Sequence, residues 1–349
     1  MPRTAPPTAA PPAGQAEPGR TGRARRHDID LLRVLCTAAV VLVHASAEFL
    51  DAGHRTTGVL GDSASRFAVP AFYAMAGWAI LAGSPVRGDT QLLTRLGRIL
   101  RPMAVWTALY LLWQYLFGPP LDGGAKEAVR ALFGSVEAAF HLWYLYAYVP
   151  LLLLLGVAVL VLGQRATPRW SALLLGALAV APVLSEDVRT LTGLPLPPWG
   201  WSVPLYALGY AVAGAALLAA RRRGPRPLWL AGVAVAFVAL AVYQFTVRLP
   251  AGYGSAAVAA LTFAVLGAVA GVRVPERARA VLVRLSDASF GTYLVHLLFV
   301  MVLVRPVAER VPHGFAAPVA LAVTAVAAAA LSFAVSVLWG RLGMRRWLG

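Results

Sequence analysis

The sequence predicts an all-α polytopic membrane protein with about ten transmembrane helices and both termini in the cytoplasm. Three observations support this fold class. Of the 349 residues, 59% are hydrophobic and only 13% are charged, whereas a soluble domain carries about 25% charged residues. The apolar residues form segments close to the ~20 residues that cross a bilayer. The basic residues cluster between these segments, so the net charge of +16 does not indicate a nucleic-acid partner.

Ten segments are long enough to cross a membrane, although the fifth is short. They lie at about residues 29–50, 67–84, 99–117, 141–163, 169–185, 202–220, 228–247, 254–272, 288–305 and 316–339. With the N-terminus inside, 22 of the 31 basic residues fall on the inner side, eight fall outside, and Arg33 lies within the first segment. This asymmetry follows the positive-inside rule. It predicts a multi-pass protein of the cell (plasma) membrane.

The segments divide the chain into three parts. Residues 1–26 are rich in Pro, Ala, Gly and Arg, and they are predicted to form a disordered basic cytoplasmic tail because they bury little apolar surface. Residues 27–340 form the ten-helix membrane domain, and residues 341–349 form a short basic cytoplasmic tail. The longest outer loop, 118–140, is expected to contain a short amphipathic helix.

The first segment carries two ionisable residues that are costly in a membrane, Arg33 and His44. They are eleven residues apart and therefore share one helix face, about 16 Å apart along the axis. Glu48 follows His44 by four residues, on the same face, where a carboxylate would orient the imidazole as a general base. Two alternatives stay open. His44 could serve only as an interhelical hydrogen-bonding group, and the segment could be a signal peptide with a cleavage site near residue 47, although Arg33 interrupts its apolar run.

The second and third segments add further arginines. Arg66, at the outer boundary, either reaches towards the headgroups or enters a pocket, and Pro70 and Gly77 are expected to interrupt the second helix. A ridge of three arginines enters the third helix from inside; its members are Arg95, Arg98 and Arg101. Guanidinium groups suit phosphate, and helix starts favour anions. The alternative is a topological role with contact to lipid headgroups.

The fourth and ninth segments contain two more histidines, His141 and His296. His141 opens the fourth segment at a depth where it could approach His44, and Trp143 and Tyr144 follow it. These aromatic residues fit an interfacial belt or a platform for a sugar. His296 is a second membrane-buried imidazole, for which an interhelical hydrogen bond is again the alternative.

Five short motifs occur in order between residues 28 and 296. They are Asp30-x-Leu32-Arg33 with His44, Pro70 to Gly77, Arg95 to Pro102, His141 to Leu145, and Ser289 to His296. This order resembles the membrane-bound acyltransferase-3 superfamily. The compact length is similar to stand-alone members such as enterobacterial common antigen O-acetyltransferase. Two positions depart from the family pattern: Tyr73 replaces a phenylalanine and Ala76 replaces a serine.

The resemblance implies transfer of an acyl group, usually acetyl from acetyl-CoA, to a hydroxyl of a cell-envelope glycan or other carbohydrate acceptor. It implies a catalytic group of His44, Glu48 and Arg33, a donor site at Arg95, Arg98 and Arg101, and an acceptor site at His141, Trp143, Tyr144, Arg66 and His296. Membrane lipid and a carbohydrate or glycolipid are the expected partners, and no metal is expected. Direct transfer and an acyl-histidine intermediate both stay open, as does the oligomeric state. A secondary transporter or flippase for an acyl or glycan-lipid substrate is the alternative, but the sequence lacks its repeat symmetry.

Overall fold

The computed structural model describes residues 25–118, 126–164, 167–193, 197–220 and 225–349, and every regular element in these ranges is helical. The α-helices are α1 His27–Asp51, α2 Arg55–Ser65, α3 Ala68–Trp78, α4 Asp89–Phe117, α5 Lys126–Phe133, α6 Trp143–Leu162, α7 Arg169–Thr192, α8 Leu205–Ala219, α9 Arg226–Thr246, α10 Ala256–Val269, α11 Glu276–Phe299, α12 Arg305–Ala308, α13 Ala316–Arg341 and α14 Arg345–Leu348. Ala79–Gly83 and Val300–Val304 are π-helical, and Glu137–Leu142 is a 3₁₀ helix.

The predicted all-α polytopic class is confirmed. A helix lies at each of the ten predicted segments. Seven helical stretches in the described residues are long and apolar enough to cross a membrane: His27–Asp51, Arg55–Gly83, Lys126–Leu162, Arg169–Thr192, Arg226–Thr246, Glu276–Ala308 and Ala316–Arg341. Leu205–Ala219 and Ala256–Val269 are shorter apolar helices. The count of ten and the cytoplasmic location of both termini stay predictions.

The outer surface of the bundle is apolar, which fits lipid as the solvent. In α7, only Ser171 is buried, while Trp170, Leu173 and Leu184 are exposed. Helix α9 likewise exposes Leu228 and Val235. Water would penalise such a continuous apolar surface, whereas hydrocarbon does not.

Helices α1 and α11 form the centre of the bundle and run parallel. At one end, Arg33 Nη1 donates to Ser286 Oγ over 2.9 Å. Further along, the rings of His44 and His296 lie 5.1 Å apart between centroids. The two contacts are separated by nearly the same number of residues on each helix. The pair therefore stays in register from Arg33 to His44, as two helices that both start on the inner side would.

The second predicted segment differs from expectation. The chain turns at Arg66 and Phe67, and α3 then continues through Pro70, so the expected interruption at Pro70 is wrong; the α-helix ends at Trp78, directly after Gly77, and becomes π-helical. Pro70 lies in the first turn of α3, where its missing N–H breaks no helical hydrogen bond. Gly77 instead allows close packing, because a Cβ there would overlap the backbone of Ala211 in α8.

We expect Gly77→Ala to lower the thermal stability of the protein, since overpacking at a rigid backbone contact costs about 1–3 kcal/mol. Gly209→Ala is the matched control, because a Cβ at Gly209 meets open space on α8. The melting temperature in detergent measures both. Equal melting temperatures for the two variants would contradict close packing of α3 against α8.

The predicted terminal tails are partly ordered. Residues 1–24 of the N-terminal tail lie outside the described residues, but Arg25 pairs with Asp30 over 2.8 Å and with Asp287 over 2.8 Å. Within 341–349, α14 folds back on the bundle. Trp106 and Trp339 donate their indole N–H groups to the backbone oxygens of the last two residues, Leu348 and Gly349, over 3.2 and 2.9 Å.

The predicted short helix of the outer loop is present as α5. Its Arg130 forms an ion pair with Glu127 one turn earlier. Residues 119–125, which precede it, lie outside the described residues.

Candidate active site

Three histidines from separate elements converge in the middle of the bundle. His44 comes from α1, His141 from the 3₁₀ helix before α6, and His296 from α11. Their ring centroids are 5.1 Å apart for His44 and His296, 5.4 Å for His141 and His296, and 6.3 Å for His44 and His141. His141 and His296 are fully buried, while His44 is half-buried. We call these residues the histidine cluster.

The cluster has hydrogen-bonding capacity that no described residue uses. Both ring nitrogens of His141 and Nε2 of His296 are buried without a hydrogen-bond partner. His296 Nδ1 lies 2.5 Å from the Tyr293 carbonyl oxygen. Because a carbonyl only accepts, Nδ1 carries the proton, and Nε2 of the neutral ring is a proton acceptor. Unpaired buried polar groups are costly, and here they mark a place where a polar ligand can bind.

Two tyrosines hold the cluster in position. The Tyr293 hydroxyl donates to the His141 backbone oxygen over 2.6 Å, and the Tyr293 ring stacks against His296. The Tyr110 hydroxyl donates to the Leu294 carbonyl oxygen over 2.8 Å, and its ring lies 4.8 Å from that of His141. These contacts fix the backbone and ring planes around the unpaired nitrogens.

Arg33 lies near the N-terminal end of α1, beside Ser286 of α11. Its guanidinium donates to Ser286 and lies 3.9 Å from the Asp30 carboxylate, three residues earlier on the same helix. Ser286 in turn donates to Asp30 over 2.7 Å. Asp30 also receives two hydrogen bonds from Arg25. Arg33 is thus oriented by a network of polar groups at the boundary.

Two cavities meet at Arg33. A polar cavity of about 350 Å³ opens beside Arg25, Arg33 and Asp287. A second cavity, of about 230 Å³, is lined by Arg33 at one end and by Tyr144 and Tyr293 at the other. Since Tyr293 contacts both His141 and His296, the second cavity leads from Arg33 towards the histidine cluster.

Glu48 does not lie where the sequence interpretation placed it. Its carboxylate is 4.0 Å from Arg305, and the described residues show no hydrogen bond between Glu48 and His44. Spacing by four residues places both side chains on one face. The glutamate, however, lies nearer the C-terminal end of α1, beside Arg305. The role of Glu48 as the group that orients His44 stays a prediction without a contact to support it.

Arg66 is buried in an ion pair. It donates to both carboxylate oxygens of Asp62 over 2.6 and 2.7 Å, and Gln244 donates to the same carboxylate over 2.8 Å. The guanidinium also lies over the Tyr253 ring at 5.2 Å. Trp143 stacks on Tyr253 with centroids 5.6 Å apart. Arg66 therefore supports an aromatic wall, and its direct contact with an acceptor stays a prediction.

Trp143 and Tyr144, expected on one acceptor platform, point to different surroundings because successive helical residues diverge by 100°. Trp143 is half-buried against Tyr253. Tyr144 is buried beside Tyr73, with centroids 4.9 Å apart, and it lines the cavity that starts at Arg33.

The three arginines of α4 also separate. Helix α4 begins at Asp89, so they lie inside the helix and not at its start as expected. Arg95 is half-buried and donates to the Ser84 carbonyl oxygen over 2.6 Å. Arg98 and Arg101 are exposed and line a cavity of about 830 Å³.

The comparison with protein families matches residues 26–339 to the acyltransferase-3 family, described as an acyltransferase domain. The chain belongs to this family. It is therefore a membrane acyltransferase, and the match spans the histidine cluster and Arg33. The comparison with curated proteins found no match. The comparison with solved structures found none either.

Several residues of this acyltransferase's site were missed by the sequence interpretation. Tyr110, Tyr293 and Ser286 hold or orient the predicted groups, and Tyr73 has a buried hydroxyl without a partner in the described residues. Tyr293 had a usable signal, since it precedes His296 by three residues on one helix face. Tyr110 had none, because its contact with His141 is made between distant segments.

Two other features of the acyltransferase bear on ligands. Within the described ranges, no group of three or more His, Cys, Asp or Glu side chains has the geometry to hold a metal ion. A groove of about 950 Å³ lies between α1, α2 and α13, lined by Leu42, Leu60 and Leu321 and closed at one end by His54 and His313. None of the histidine cluster lines this groove.

Proposed function

We propose that this acyltransferase moves an acetyl group from cytoplasmic acetyl-CoA to a hydroxyl of a carbohydrate acceptor, such as a cell-envelope glycan, in the plasma membrane. One observation carries the proposal. His141 and His296 have buried, unpaired ring nitrogens beside His44, and a cavity lined by Arg33 and Tyr293 leads towards these imidazoles. This arrangement suits an anionic donor with a long, uncharged arm and a reaction that removes a proton.

The donor enters from the side of Arg33. Coenzyme A carries phosphates, and Arg33, Arg95, Arg98 and Arg101 supply guanidinium groups on that side. The pantetheine arm extends past Tyr144 and Tyr293, which line the cavity that leads from Arg33 towards the histidine cluster. It brings the thioester to the histidine cluster over about 16 Å of helix.

His44 acts as the general base, because it is the half-buried member of the cluster and can meet an acceptor. It takes the proton of the acceptor hydroxyl while the oxygen attacks the thioester carbonyl carbon. A carbon–oxygen bond forms and the carbon–sulfur bond breaks. The imidazolium then gives the proton to the departing thiolate, so the products are an ester and free coenzyme A. A protonated ring nitrogen of His141 can donate a hydrogen bond to the developing oxyanion, and the unprotonated Nε2 of His296 can accept one from the His44 imidazolium.

The acceptor approaches the other face of the cluster. Phe140 lies 5.4 Å from His44 between ring centroids, and its side chain is 47% exposed. Trp143, three residues further along the chain, adds a second aromatic ring that is half-buried. Such rings can pack against the apolar face of a sugar while the hydroxyl points to His44.

The test uses purified protein in nanodiscs with acetyl-CoA labelled in the acetyl group and a panel of free and lipid-linked glycans. We expect label in an alkali-labile ester on a carbohydrate and stoichiometric release of coenzyme A. In a parallel assay with the protein in proteoliposomes, movement of the label across the vesicle membrane without ester formation would instead support transport. Acetylation of His44, located by peptide mass spectrometry in protein incubated without acceptor, would make His44 a nucleophile and overturn direct transfer.

A further inference from the structure

A basic cavity lies on the inner side of the bundle, between α4, α11 and α14. Its volume is about 830 Å³, and four arginines line it: Arg98, Arg101, Arg345 and Arg346. Two come from α4 and two from the C-terminal turn α14. All four side chains are exposed. We call this cavity the basic cavity.

The basic cavity has an unbalanced positive charge. Among the described residues, none of its four arginines forms a salt bridge. Asp287 also lines the cavity, but its carboxylate already pairs with Arg25 over 2.8 Å. Several guanidinium groups around one space create a site for phosphate.

The C-terminal turn that supplies Arg345 and Arg346 is held firmly in place. The indole N–H groups of Trp106 and Trp339 donate hydrogen bonds to the backbone oxygens of Leu348 and Gly349 at the end of this turn. A Cβ on Gly291 would meet the backbone of Gly349 at 3.0 Å, so the turn packs closely on α11. The arginine pair is therefore preorganised, which lowers the entropy cost of binding an anion.

A row of neighbouring side chains on α11 connects the basic cavity to the histidine cluster. Asp287, Phe290, Tyr293 and His296 follow one another at three-residue spacing, so each is a neighbour of the next in a row that winds half a turn around the helix. Phe290 lines both the basic cavity and the cavity beside Tyr293. The distance from Asp287 to His296 is about 13.5 Å along the axis, which an extended pantetheine arm can span.

We propose that Arg345 and Arg346, together with Arg98 and Arg101, bind the phosphates at the nucleotide end of coenzyme A. This inference rests on the proposed function, because it assigns a place to the proposed donor. It adds a C-terminal turn that lies beyond the family match, which ends at residue 339. The same chemistry would also accept the phosphate headgroup of an anionic lipid, so the test must separate these two sources.

The test measures the dissociation constants of coenzyme A, 3′-dephospho-coenzyme A and pantetheine for the full chain in phosphatidylcholine nanodiscs. For Arg345→Gln/Arg346→Gln we expect about tenfold weaker binding of coenzyme A, which corresponds to about 1.4 kcal/mol. The loss should be smaller for the dephospho form, absent for pantetheine, and reduced at high salt because the phosphate contacts are screened. Arg341→Gln is the matched control, since Arg341 is exposed at the end of α13 and does not line the cavity.

The outcomes separate the hypotheses. Wild-type protein that binds no coenzyme A overturns both the proposed donor and this inference. Wild-type binding that Arg345→Gln/Arg346→Gln leaves unchanged overturns this inference alone. If the same variant keeps its coenzyme A affinity but loses co-purified phosphatidylglycerol in native mass spectrometry, the cavity holds a lipid headgroup and the donor assignment is wrong. Should the Gln variant fail to fold, Arg345→Lys/Arg346→Lys retains the charge without the planar fork and should still weaken binding of coenzyme A.

Discussion

Replacing His44 by glutamine is expected to lower the rate of acetyl transfer by about 10²–10⁴-fold, the range attributed to a positioned general base. Glutamine keeps polar atoms in the cluster but cannot accept and return a proton at neutral pH. Because His44 lies far from Arg33 along α1, the affinity for coenzyme A should change little. The effect should therefore appear in kcat and not in KM for the donor.

The control for this variant is His313→Gln. His313 is exposed and lies beside His54, with ring centroids 4.4 Å apart, outside the histidine cluster. Its substitution should leave the transfer rate unchanged, and the melting temperatures of both variants should match the wild type. Full transfer activity in folded His44→Gln would exclude His44 as the base.

Replacing Asp62 by asparagine is expected to destabilise the protein more than any surface substitution. Asp62 and Arg66 are only 4% and 6% exposed, and their side chains share two short hydrogen bonds. Removing one charge leaves the buried guanidinium unpaired, which costs about 3–5 kcal/mol. The packing of Tyr253 and Trp143, which form the aromatic wall, should weaken when the ion pair is lost.

Glu186→Gln is the matched control for Asp62→Asn. Glu186 pairs with Arg189 at the exposed end of α7, and both side chains are well solvated. Exposed ion pairs contribute little to the free energy of unfolding, so the melting temperature of Glu186→Gln should equal that of the wild type. A similar melting temperature for Asp62→Asn would show that the Arg66 guanidinium finds another partner or water.

Much of the fold could be predicted from sequence, because hydrocarbon imposes simple rules on the chain. A membrane segment must satisfy its own backbone, so every long apolar run is a helix. The approach of His141 to His44 was also predictable, since it follows from the depth of the two helix ends. The helix interiors were predicted better than their ends: α4 begins ten residues before the predicted segment, because its polar first turns carry no hydropathy signal.

The contacts of the polar side chains could not be predicted in the same way. Periodicity tells which face a residue lies on but not which helix covers that face. For that reason Glu48, aligned with His44 in sequence, is nearest to Arg305. Asp62 and Arg66 have the four-residue spacing of a helical ion pair, but their pairing was missed because no helix was predicted over residues 55–65. The return of α14 to the arginines of α4 depends on two distant tryptophans, and no local pattern shows that.

The most direct measurement is a cryo-electron microscopy structure of the full chain with a thioether analogue of acetyl-CoA, which cannot transfer its acyl group. If the donor lies on a single path from the basic cavity to the histidine cluster, its phosphates should give density among Arg98, Arg101, Arg345 and Arg346. The carbonyl group of the analogue should then lie beyond Tyr293, beside His44 and His296. Density for the analogue in the groove between α1, α2 and α13, or a carbonyl that lies away from the histidine cluster, would contradict it.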